Sequence, residues 1–170
     1  MTRPEPTEYM PAFGKYIALV EGDDIIAALS NQLDDTLALL HGLSESQGEL
    51  RYAPGKWSIK EVIGHLIDAE RIFAYRALRF ARNDQSALPG FDENNYVANS
   101  NFGERRLADL AEEVEFVRKS NIYLFRHLGE EVWLRRGKAN DNEISVRALA
   151  YSIAGHERHH LGIIRERYLA

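Results

Sequence analysis

The chain contains no cysteine in its 170 residues. Disulfides, cysteine-ligated zinc, iron–sulfur clusters and thiol nucleophiles are thereby excluded, and any metal has to be held by His, Asp or Glu. Long apolar runs are missing too. None approaches the roughly 20 residues that span a bilayer, and the opening MTRPEPTEYMPAF lacks the apolar middle of a secretory signal. Basic charge is scarce: 21 Lys and Arg stand against 26 Asp and Glu, a net charge of −5. That argues against a nucleic-acid partner, since such domains carry a basic footprint. Strand signals are weak, with no β-branched run alternating with polar residues and no Asn-Gly or Asp-Gly pair to mark a hairpin. The five prolines, at 4, 6, 11, 54 and 89, all stand outside the periodic segments. These absences lead to the expectation of a cytoplasmic, helical protein that engages neither membrane nor nucleic acid.

What is present is helical periodicity. A first segment runs from about Asp24 to His41, with the stripe Ile25, Leu29, Leu33, Leu37 and Leu40 and Gly42 as a left-handed cap. A second runs from about Ile59 to Arg82, opened by the capping box Ser58-x-x-Glu61. The third spans about Glu104 to Leu128 on Leu107, Leu110, Val114, Val117, Leu124 and Leu128, with Gly129 ending it. The fourth spans about Val146 to Leu169 behind Ser145, on Val146, Leu149, Ile153, His160 and Ile164. Four amphipathic helices of this length predict an all-α four-helix bundle. Residues 1–22 read as a leader lying against a single domain over 23–170. Residues 83–103 form a long link, of which the run Pro89–Phe102 could cover a pocket mouth, pack as a crossover or join a dimer contact.

Six histidines carry the chemical signal. His41 and His127 fall in last helical turns, where an imidazole meets terminal carbonyls. His156 and His160 are one turn apart on the fourth segment, a spacing at which two imidazoles can share a metal. His65, at the edge of the second stripe beside Val62, Leu66, Ala69 and Phe73, can complete a three-imidazole site with an open position. His159 projects away, toward solvent or behind the ligands. The segment also spells H-E-x-x-H, the zincin signature. Only ten residues follow His160, however, with no His, Asp or Cys among them, and Glu166 points away. Glu70 and Glu157 project into apolar arcs, where carboxylates are rarely found unless paired or coordinating. For Glu70 an ion pair is the favoured reading, with Arg147, Arg165 or Arg76 as partner. Glu157 is read equally as such a pair or as a base or supporting group beside the metal.

KWSIKEVIGHLIDAERIFAYRALRF, followed by ALAYSIAGHERHHLGIIRERY, resembles the DinB (YfiT-like) superfamily over roughly residues 22–169. The specific matches are W-S-x-K-E-x-x-x-H from Trp57 and H-x-x-x-H-x-G from His156. The resemblance implies a four-helix bundle with up-down-down-up connectivity and a homodimer. It also implies a divalent metal, zinc or nickel, held by three histidines that map onto His65, His156 and His160. Trp57 reads as a packing anchor at the start of the second helix.

Three functions share those ligands. One is transfer to a low-molecular-weight thiol, slightly preferred because a borderline metal ion suits an external thiolate. Another is hydrolysis of a small-molecule substrate by metal-bound hydroxide with Glu157 as base. The third is a non-enzymatic, stress-associated metal- or ligand-binding dimer. A pocket lined with Arg or Lys would favour the thiol, and a closed, saturated metal site the binding protein.

Overall fold

The computed structural model describes residues 2–170. In chain order its elements are α1 (Pro11–Ile17), α2 (Ile25–Gly42), α3 (Glu45–Gly48), α4 (Ile59–Ala81), α5 (Glu93–Ala98), α6 (Leu107–Arg126), α7 (Glu130–Trp133), β1 (Arg136–Ala139), β2 (Asn142–Ser145) and α8 (Val146–Ile163). The last turn, Ile164–Tyr168, is a π-helix where the periodicity predicts continued α-helix. Among the described residues no helix is long and apolar enough to cross a membrane.

Three of the four long helices, α2, α4 and α8, start at side-chain caps. Asp24 accepts from the amides of Ile26 and Ala27, each at 3.0 Å. Ser58 and Glu61 form the expected reciprocal box, and Ser145 accepts from Ala148 N at 3.0 Å. Around the bundle, α4 packs on α8, α8 on α2, α2 on α6 and α6 on α4. The consecutive helices α2 and α4 therefore lie diagonally, as do α6 and α8. The diagonal pairs are joined by residues 43–58 and 127–145, while residues 83–103 join the neighbours α4 and α6.

The core fills two zones. One gathers Ile25, Leu29, Phe73, Phe80, Phe125 and Leu149; the other gathers Leu33, Ile63, Ile67, Leu110, Leu161 and Ile164. The α6 stripe differs from its sequence reading. Arg118, Ile122 and Phe125 are buried, whereas Val117, Leu124 and Leu128 are only half-buried. Gly42 lies within α2, and the positive-φ glycines are Gly22 and Gly55 instead.

The weak strand signals proved misleading at one place. Residues 136–145 form an antiparallel hairpin whose register pairs Arg136 with Ser145 and Ala139 with Asn142. Its two turn residues, Asn140 and Asp141, have φ of 50° and 60°. Asn and Asp tolerate the left-handed region well enough to make a two-residue hairpin turn without glycine. The 83–103 link joins this edge: Leu88 N donates to Lys138 O at 2.9 Å, and Asn140 N donates to Leu88 O at 3.0 Å. Before the bundle, α1 packs on α8. Buried Glu8 accepts from Arg147 and from Ser145 Oγ, tying the start of the chain to the first turn of α8.

Two glycines beside histidines permit close crossings. A Cβ on Gly64 would fall 2.0 Å from the Phe102 ring, and one on Gly155 would fall 2.0 Å from the Tyr16 carbonyl oxygen. In an open helix Gly→Ala stabilises by about 1 kcal/mol. Gly155→Ala should reverse that sign and lower stability by about 1–3 kcal/mol, because backbone has to give way. Denaturant midpoints of the two proteins measure it, and an unchanged or raised midpoint would show that α1 does not pack there.

Candidate metal centre

The capping box places Trp57 and the start of α4 so that His65 points inward two turns later. On α8, His156 and His160 share the inward face one turn apart. The three rings meet where α4 packs on α8. His65 Nε2 and His160 Nε2 each lie 3.1 Å from His156 Nε2, and all three ligand atoms fall within 4.8 Å of one another. A tetrahedral ion with bonds of about 2.0–2.1 Å holds neighbouring nitrogens roughly 3.3 Å apart, so the donor set fits a small divalent cation. The rings are oriented by aromatic neighbours. Trp57 lies 4.9 Å from His65, and Tyr16 and Phe73 lie 5.3 and 6.0 Å from His156.

Burial keeps these imidazoles neutral, the form that binds metals. It pushes His65 down to about 4, opposed in part by Glu93. It pushes His160 down to about 3, helped by His65, His159 and Lys15. His156 is also lowered, by burial and then by its two partner histidines.

The cluster opens on a cavity of about 330 Å³. One wall is a single face of α4: His65, Ala69, Phe73 and Arg76. Phe13 and Tyr16 of α1 form another, and Gly90, Phe91 and Glu93 of the link and Asn140, Asn142 and Glu143 of the hairpin close the rest. His159 also lines the cavity, 5.3 Å from the Tyr16 ring, rather than projecting away. The link thus serves as a wall, which its sequence left open.

Glu157 faces elsewhere, which corrects its reading as a base beside the metal. Its Oε1 accepts from Thr36 Oγ1 at 2.7 Å. Its Oε2 accepts from Arg118 Nη2 at 2.7 Å and from Gln32 Nε2. Arg118 also donates to both oxygens of Glu70, at 2.9 and 2.8 Å, and to Leu29 O at 3.2 Å. One guanidinium, 1% exposed, therefore serves two buried carboxylates. Burial opposes its charge, but Glu157 and Glu70 outweigh that and raise its pKa. Burial also raises that of Glu157, against the pull of Arg118. Two of the three arginines expected as partners are engaged elsewhere: Arg147 with Glu8, and Arg76 with Pro89 O at 2.8 Å. Sequence reasoning passed over Arg118, although it was detectable. It lies four residues after Val114 and eight after Leu110, in phase with the apolar stripe.

The sequence profile of the DinB superfamily matches residues 28–164. A protein of Oceanobacillus iheyensis, provisionally named metal-dependent hydrolase OB0413, is 25% identical over 142 residues, covering 82% of this chain and 79% of its own. Among solved structures, YfiT from Bacillus subtilis, described as a probable metal-dependent hydrolase with an unusual four-helix bundle topology, superposes with a TM-score of 0.67 at 18% identity. That match covers 96% of this chain and 89% of YfiT.

Proposed function

Because the chain belongs to the DinB superfamily, we propose that it is a metal-dependent hydrolase of a small molecule, with His65, His156 and His160 holding one divalent cation. The observation that carries this reading is the convergence of three neutral imidazoles on one side of a lined cavity. A cation bound there supplies a Lewis acid and a water of lowered pKa near neutral pH. The chain's own residues do the rest. The imidazole rings stay unprotonated, and Trp57, Phe73 and Tyr16 hold them in place. Phe13, Phe73 and Phe91 give the cavity apolar walls that suit the body of a small substrate. The relative provisionally named as a metal-dependent hydrolase supports the reaction class. A second reading, transfer to a low-molecular-weight thiol, draws on one observation: a guanidinium, Arg76, lines the cavity and suits the carboxylates such thiols carry.

Zinc- or nickel-loaded protein run against ester and amide panels, with and without bacillithiol, mycothiol or glutathione plus an electrophile, separates these. Hydrolysis without thiol should appear and fall roughly a hundredfold or more in His65→Ala. Turnover only with thiol would replace the hydrolase by the transferase. No turnover in either arm, with metal bound, would leave a binding protein.

A further inference from the structure

Arg76 is 6% exposed, and among the described residues it has no carboxylate within ion-pair distance. Its one hydrogen bond goes from Nη2 to Pro89 O at 2.8 Å. The guanidinium lies between two rings, 5.9 Å from Phe73 and 6.0 Å from Phe91. Every other buried arginine is paired: Arg118 with Glu70 and Glu157, Arg147 with Glu8. Burying a cation without an anion is costly. Arginine cannot escape that cost by deprotonating, and its rigid fork of five N–H donors matches a carboxylate in two-point contact. Nearly all of that fork is unused here, and it lines the same cavity as the histidines.

From these contacts we infer that Arg76 is the anchor for a substrate carboxylate, so that the cavity takes a small amphipathic acid with its carboxylate on Arg76 and its reacting group toward His65, His156 and His160. The inference rests on the metal-site reading for its second half only. His65 and Arg76 share one face of α4, eleven residues and about 16 Å apart along the helix. Between them Phe73 touches both ends, 6.0 Å from the His156 ring and 5.9 Å from Arg76. The apolar surface of Phe73 and Phe91 suits an aryl or alkyl body. Glu93 and Glu143 also line the cavity, but both are exposed, and Glu143 lies 3.5 Å from Arg136. They leave Arg76 as the buried cation at the end remote from the histidines.

Calorimetric titration of the metal-free and zinc-loaded full chain with 3-phenylpropanoate, its neutral analogue 3-phenylpropanamide and inorganic phosphate tests this. The metal-free wild type should bind the acid at least tenfold tighter than the amide. Arg76→Gln should bring that ratio close to one, and Arg76→Lys, which keeps the charge but not the fork, should fall between. His65→Ala should keep the full ratio, so a failure of the metal reading leaves this test intact. The inference is overturned if the wild type shows no preference for the acid, if Arg76→Gln keeps it, or if His65→Ala alone removes it, which would put the anion on the histidine cluster. Phosphate binding tighter than the acid would overturn the carboxylate assignment.

Discussion

Metal-free protein titrated with zinc should bind one equivalent, and His65→Ala, His156→Ala and His160→Ala should each weaken binding by roughly a hundredfold or more. His159→Ala should change it far less, because that ring lines the cavity outside the three converging nitrogens. The pH profile is a second signature. Histidines pushed down to about 4 and about 3 carry no proton to displace at pH 5.5. Affinity should therefore stay nearly level from pH 7.5 to 5.5, where ordinary imidazoles with pKa near 6.5 lose ground. The same shifts make the metal-free fold sensitive to acid. Below pH 6.5 the unfolded chain takes up protons that folded His65 and His160 refuse. Stability should fall as pH drops from about 6.5 toward 4, by up to roughly 1.4 kcal/mol per unit for each group. Zinc at a hundredfold excess over its Kd should add about 2.7 kcal/mol, a rise of about 5–10 °C in Tm for a chain of this size. Helical circular dichroism should survive chelation, since both core zones are filled by apolar side chains and none of these is a metal ligand. Wild-type affinity in all three alanine variants would remove the site, and a collapse of ellipticity on chelation would make the metal structural.

The largest loss of stability should come from Arg118→Met. The variant leaves the carboxylates of Glu70 and Glu157 buried, 8% and 4% exposed, with no cation, and removal of one partner from such a network costs about 3–5 kcal/mol. Its pH dependence should also change. Burial already raises Glu157, and without the pull of the guanidinium it holds its proton to still higher pH than the unfolded chain does, so the gain in stability as pH falls through the weakly acidic range should be larger than in the wild type. Adding Glu70→Gln to Arg118→Met should restore part of the loss, which a double-mutant cycle reads as coupling. A loss below 1 kcal/mol in urea unfolding would mean that the three groups do not share one network.

Helix positions were legible in the chain because their causes are local. Period-of-four apolar spacing and the caps Ser58 and Ser145 act within one turn; α2, α4 and α8 each begin at a side-chain cap, whereas α6 begins at Leu107 without one. The His156–His160 pair was legible for the same reason, and His65 joined it through its place on the stripe and the family resemblance. The hairpin was missed because its turn uses Asn140 and Asp141 where glycine was sought. The partner of Glu70 and Glu157 had to come from tertiary structure. Arg118 lies 48 and 39 residues away from them, and the choice among arginines depends on which helices are diagonal and which adjacent. The cavity has the same origin, since its walls come from α1, α4, α8, the link and the hairpin. Periodicity and capping are interactions between near neighbours in the chain. The pairing of a buried charge and the shape of a cavity are set by desolvation and contact between distant segments, which exist only once the bundle has closed.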